Sequence, residues 1–185
     1  QVFGMPEEYV TPRMRSAAKA VNFGIVYGIS AFSLSQDIGV SVAEADRYIK
    51  SYLATYAGVR RYMEQSVVFG REQGYVRTLL GRRRPLPELT AQNHATRAFG
   101  ERVAMNTPIQ GTAADIIKRA MVRVYDRLRA ENMKSRLILQ VHDELILEAP
   151  ESEAQRAAAL VAQEMQNAAS LKVALVAEAG VGGNW

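Results

Sequence analysis

Through most of the first 130 positions the apolar residues recur at helical spacing, and beyond them short aliphatic runs take over. From Thr11 to about Tyr27 helix formers dominate, with Pro12 suited to a first turn and Gly28 to a terminus, which predicts a helix. A short segment runs on to Gly39. Ser41 and Glu44 then form a capping-box pattern ahead of "VAEADRYIKSYLATY", a second helix. Gly58 is expected to interrupt, and "VRRYMEQSVVFGREQ" predicts a third helix closed by Gly74. "YVRTLLGRRRPLPEL" sets β-type residues around a glycine and ahead of two prolines, predicting a short hairpin or irregular arm with a basic tip.

Helical spacing resumes over residues 91–105. Asn106, Thr107 and Pro108 are expected to break that helix, and a long amphipathic one follows, with Ile116, Ile117, Ala120, Val124 and Leu128 on its apolar side. In "SRLILQVHDELILEA" two aliphatic runs, Leu137 to Val141 and Leu145 to Leu147, flank His142, Asp143 and Glu144, predicting a β-hairpin with charge at its turn. "ESEAQRAAALVAQEMQNAAS" predicts another helix and "LKVALVAEAG" a closing strand. Helices first, then hairpin, helix and strand, make the expected class α+β.

Composition narrows the picture only a little. The 185 residues, 48% of them hydrophobic, can bury a core. The 23 Lys and Arg against 19 acids give a net charge of +4, which favours polyanionic partners without requiring them. Absence of cysteine excludes a disulfide scaffold and a thiolate metal site. No apolar run is long enough to span a bilayer and no signal-peptide pattern occurs, so a cytosolic protein is the default. The start "QVFGMPEEYV", without an initiator Met, and the end "EAGVGGNW" read as those of a fragment.

Chemistry concentrates in a few stretches. In "RSAAKAVNFGIVYG", Arg15, Lys19, Phe23 and Tyr27 recur every four residues, a slowly winding stripe about 18 Å long with charge at one end and rings at the other. A nucleoside triphosphate has that polarity: guanidinium and ammonium suit phosphate, and an aromatic face suits sugar or base. Spacing alone equally fits a surface helix whose two rings pack into the core. At the hairpin tip Asp143 and Glu144 offer hard oxygen donors suited to Mg²⁺ as part of a site, though a polar turn would look the same. "RRRP", with Arg83 in its middle, could touch a phosphate backbone, or be a solvated turn. Arg102, Asn106 and Gln110 offer donors at four-residue spacing that could reach groove edges, or could satisfy a helix end.

Taken together, "RSAAKAVNFGIVYG", "ERVAMNTPIQGTAADIIKRAM" and "QVHDELILEAP" resemble, in order, motifs of the family A DNA polymerases, the bacterial DNA polymerase I type. The resemblance runs over nearly the whole chain. It implies mostly helical fingers over residues 1–88, followed over 89–185 by part of an antiparallel palm sheet with packed helices. It further implies that Arg15 and Lys19 grip an incoming deoxynucleoside triphosphate, Phe23 packs on its sugar and base, Tyr27 sits at the template-facing end, and Gly28 is a flexible joint. Arg102, Asn106, Gln110 and His142 are then contacts to primer-template DNA, and Asp143, with Glu144 secondary, is a ligand of two catalytic Mg²⁺ ions. The implied activity is template-directed DNA synthesis in replication and repair, by attack of a primer 3′ hydroxyl on the α-phosphate, in the bacterial cytoplasm at the nucleoid.

Departures from the family pattern carry their own expectations. The family's upstream "DYS"-like aspartate does not occur here, so the remaining partner is the N-terminal part of the polymerase, covalent or as a separate chain. The isolated polypeptide is expected to be inactive. Two other functions stay open: a non-catalytic DNA-binding remnant, and a single-subunit RNA polymerase, against which "HDE" in place of "HDS" argues.

Overall fold

The computed structural model describes residues 9–184, those at 13 and 17 by backbone alone. The chain divides into two compact units, the first ending at Gly111 and the second starting at Thr112.

The first unit starts with α1 (Pro12–Val26), where the Thr11 hydroxyl accepts from the Met14 amide at 3.2 Å and Pro12 occupies the first turn. Helix α2 (Ala31–Ile38) occupies the stretch that hydrophobic spacing leaves as an undefined segment. Its signals are punctuation rather than periodicity: Ser30 caps the Ser33 amide at 3.1 Å and Gly39 stops the helix at φ +69°. Eight residues are too few to show a helical period clearly. Helix α3 (Val42–Thr55) has the expected cap, with Ser41 accepting from the Glu44 amide at 3.2 Å. The Glu44 carboxylate turns to the Tyr48 hydroxyl, which donates to it at 3.0 Å.

Helix α4 (Ala57–Gln73) corrects the expectation at Gly58, which lies inside its first turn. The break falls at Tyr56, whose φ of −106° and ψ of 59° end one helix and start the next. Val21 and Ile25 of α1, Leu34 of α2 and Ala45 of α3 form one small core. A second core forms around the hairpin of β1 (Tyr75–Arg77) and β2 (Arg83–Pro85), where Val76 turns inward onto Leu86, Leu89 and Ala104. Gly70 permits that closeness: a Cβ there would stand 2.7 Å from the Leu89 Cδ1.

Helix α5 (His94–Ala130) is continuous through Pro108, where a break is expected from sequence. Proline withholds the amide that would bond the carbonyl four residues back and crowds that turn. Here the Tyr62 hydroxyl donates to the Met105 carbonyl at 3.2 Å, an outside donor at the disturbed turn.

In the second unit Val124 and Leu128 of α5 pack on Leu160 and Val161 of α6 (Ala154–Gln166). Before α6 come β3 (Arg136–Val141) and β4 (Glu144–Glu148), an antiparallel hairpin with a register shift between Leu137 and Leu139. Glu164, only 6% exposed, accepts from the Arg123 Nε at 2.7 Å and from an Arg127 amino group at 3.0 Å. The expected closing strand over residues 171–180 is absent as a strand. Val173 and Val176 there stay exposed, and the Ala177 carbonyl accepts from the Gln166 side chain at 3.0 Å instead of from a ladder. Strand-like composition needs a neighbouring strand to become a strand, and the described residues offer this segment none. The α+β class holds, helix-rich with short antiparallel sheets. Among the described residues no helix is long and apolar enough to cross a membrane.

Glu153 ties the start of α6 to the turn before β3. Its carboxylate accepts from the backbone amides of Lys134 and Ser135, each at 2.9 Å, and from the Ser135 hydroxyl at 2.7 Å. The Lys134 amide first, then the Ser135 hydroxyl, hold its pKa below the ordinary glutamate value. A depressed carboxylate stabilises the fold above its unfolded pKa, and that contribution is lost as pH falls through the folded one. Urea midpoints should therefore drop on acidification below the ordinary glutamate range, and less so in Glu153→Gln; equal drops in both proteins would contradict this.

Candidate functional site

On α1 the core takes Val21 and Ile25, which lie one turn apart, and so leaves the Arg15, Lys19, Phe23 and Tyr27 stripe facing outward. The two rings do not pack into the core: Phe23 is 50% exposed and Tyr27 43%. They lie 6.5 Å apart between centroids at an interplanar angle of 17°, and the Lys19 ammonium stands 5.7 Å from the Phe23 centroid. The stripe is thus a continuous exposed face, cation to ring to ring.

Sequence reading misses what orients this face. Asn22 sits between the buried side of α1 and the stripe, and its side-chain carbonyl accepts from the Tyr52 hydroxyl of α3 at 2.5 Å. Asn22 lies inside the motif of residues 15–28 without a role assigned to it, Tyr52 lies in none, and thirty positions separate them. The signal that could have raised Tyr52 is the pair Tyr52 and Tyr56, whose rings meet at 4.7 Å across the end of α3.

The end of α1 rests on α5. Gly28 has φ +73°, and a Cβ on it would stand 2.7 Å from the Met105 Cε and 3.2 Å from the Arg102 Cγ. Its amide bonds back to the Ile25 carbonyl at 2.9 Å, and the Ile29 amide to Gly24 at 2.8 Å. Gly28 thus closes a hydrogen-bonded turn at the end of α1. The structure brings Tyr27, Arg102 and Asn106 together: the Asn106 amide reaches the Tyr27 carbonyl at 3.4 Å. The Asn106 Oδ1 is buried with no partner among the described residues, while Arg102 and Gln110 are exposed on the same run of α5. Gly28→Ala combines left-handed strain with a steric clash, so it should destabilise the protein by about 1–3 kcal/mol. A melting midpoint equal to that of the unsubstituted protein would refute this.

On the hairpin of the second unit, His142 and Asp143 form the turn and Glu144 opens β4, paired with Val141. His142 takes φ +53°, an uncommon position for a residue with a Cβ. The Gln140 side chain holds the turn by donating to the His142 carbonyl at 2.5 Å. Asp143 and Glu144 are exposed, and neither carboxylate has an ion-pair partner among the described residues. No group of three His, Asp or Glu capable of holding a metal occurs among the described residues. Two hard oxygen donors at a braced tip suit Mg²⁺, which takes its other ligands from water and phosphate. Arg83, on the other hairpin, lies with its guanidinium 4.7 Å from the Tyr75 ring centroid.

The whole sequence, residues 1–185, matches the profile of DNA polymerase family A. It is 52% identical over 184 residues to DNA polymerase I of Bacillus caldotenax, an alignment covering 100% of this chain and 21% of that protein. It is 48% identical over 184 residues to the thermostable DNA polymerase I of Thermus thermophilus, covering 100% and 22%. The polymerase domain of Pol1 from M. smegmatis, solved in complex with DNA primer-template and dNTP, is similar at a TM-score of 0.90 and 44% identity, over 94% of this chain and 31% of that one. The chain spans about a fifth of the length of the curated relatives it matches.

Proposed function

The chain belongs to DNA polymerase family A, and on that premise we propose that it supplies the C-terminal portion of a template-directed DNA polymerase. The observation that carries this reading is the exposed stripe on α1, whose order of cations and rings matches the order of phosphates, sugar and base in a deoxynucleoside triphosphate. In this reading residues 1–88 are fingers and 89–185 part of the palm. Arg15 and Lys19 take the triphosphate oxygens, Arg through its planar fork and Lys as a point charge. Phe23 lies along sugar and base, and Tyr27 limits the stripe on the template side.

Arg102, Asn106, Gln110 and His142 contact primer-template DNA, and Arg83 a backbone phosphate. The unpartnered Asn106 Oδ1 supports this, since a buried acceptor gains from a donor that DNA would bring. Minor-groove acceptors are similar in all correct pairs, so such contacts can sense pairing geometry without reading sequence. Asp143, with Glu144 beside it, would hold Mg²⁺, whose contribution when bound is to stabilise the oxygens that enter and leave the α-phosphate. In this reading Lys19 offsets the charge that develops on departing pyrophosphate and gives it a proton. The likeness to Pol1, a structure solved with primer-template and dNTP, supports the assignment of both ligands.

The test is primer extension on a defined template with Mg²⁺ and each dNTP alone, together with the intact mass of every polypeptide present. Incorporation of the templated nucleotide is the expected result. DNA binding without incorporation by a preparation that contains the complete polymerase domain would favour the binding remnant instead.

A further inference from the structure

The β1–β2 hairpin presents an arrangement that the nucleotide stripe and the α5 contacts do not explain. Between Tyr75 and Pro87 the chain carries Arg77, Arg82, Arg83 and Arg84 and no acid, four positive charges against a net +4 for all 185 residues. Cross-strand register sets Arg77 directly opposite Arg83. The flanking ladder bonds, Thr78 to Arg82 and Leu86 to Gly74, put that pair at a non-hydrogen-bonded position, where side chains stand closest. Like charges facing each other across a hairpin are destabilising. Both side chains are exposed, and neither has a carboxylate partner among the described residues.

Both guanidiniums are nevertheless held in place. Arg83 lies 4.7 Å from the Tyr75 centroid and Arg77 5.8 Å from that of Phe69, and the two rings meet edge to face at 5.8 Å and 89°. Each guanidinium carbon thus lies over an aromatic ring, which restrains the side chain and reduces the freedom lost on binding. An anion seated between the two guanidiniums would turn their mutual repulsion into attraction.

We propose that Arg77 and Arg83, mounted on Phe69 and Tyr75, form a preorganised clamp for the phosphodiester backbone of nucleic acid outside the nucleotide-insertion site. The proposal extends the polymerase reading, which assigns Arg83 a backbone phosphate but gives no role to Arg77, Phe69 or Tyr75. Recognition is of backbone charge, so it is independent of sequence and weakens with salt. Duplex and single-stranded template share this chemistry.

The test measures affinity as a function of salt for the polymerase carrying this chain, with one blunt primer duplex and one unpaired oligonucleotide as probes. Arg77→Gln with Arg83→Gln should lower affinity about tenfold at low salt and reduce the slope of log K against log salt by about 1.8 for duplex or about 1.4 for the single strand. Whichever probe shows the change identifies the strand state the clamp holds. Lys50→Gln, which removes an exposed cation paired with Asp46, is the control and should leave both slopes as they are. Arg77→Lys with Arg83→Lys keeps the charge, loses the planar fork, and should lie between. Unchanged slopes on both probes overturn the clamp. Failure of the unsubstituted protein to incorporate nucleotide counts against the polymerase reading and leaves the salt slopes to decide the clamp.

Discussion

Asp143→Asn should lower the single-turnover rate of nucleotide incorporation by at least about a thousandfold, with primer-template affinity changed only a few-fold. The substitution keeps the side chain's size and removes its charge. Asp143 lies exposed in a two-residue turn with no ion pair among the described residues, so no interaction within the fold is lost and the hairpin should persist. What disappears is a hard anionic oxygen, and a divalent cation discriminates strongly between carboxylate and amide. Glu144→Gln provides the scale: it opens β4 rather than forming the turn, and a secondary ligand should cost far less. Rapid-quench incorporation assays beside equilibrium DNA binding read both quantities, and near-normal turnover by Asp143→Asn would remove Asp143 from the chemistry.

Lys19→Ala should slow incorporation by about a hundredfold to a thousandfold, the scale for removing one preorganised charge from a developing anion. DNA affinity should remain nearly constant, because Lys19 stands over Phe23 on the nucleotide stripe and not on the α5 run that carries Arg102 and Gln110. On the proposed reading Arg15 holds phosphate alike in ground and transition states, so Arg15→Ala should mainly raise the KM for dNTP. A variant whose DNA binding collapses while its chemistry survives would contradict this assignment.

Much of this was readable in the sequence because the relevant interactions are local. The proline in the first turn of α1, the cap at Ser41, the stop at Gly74 and the turn between Val141 and Glu144 depend on residues a few positions apart. The stripe on α1 was visible as spacing, yet spacing could not say which way it faced. That was decided by Val21 and Ile25 finding Leu34 and Ala45, contacts with no sequence signature. The chain's own pattern marks Pro108 as a stop, yet α5 runs through it, with Tyr62, 43 positions from Met105, donating to the adjacent carbonyl. The segment over 171–180 failed in the opposite sense, because its valines have strand propensity but no ladder partner among the described residues.

The closed turn at Gly28 has a kinetic meaning. With Gly28 and Ile29 bonded back into α1, Leu34 packed against it and Tyr52 fastened to Asn22, α1 has no free pivot at its C-terminal end. Any swing of that helix must carry α2 and α3 with it as one block, hinged outside the stretch from Pro12 to Thr55. Motion of such a block belongs to the microsecond-to-millisecond range of collective rearrangement rather than the nanoseconds of a loop. Relaxation-dispersion signals from α1, α2 and α3 should therefore share a single exchange rate, the tempo at which this face can open and shut.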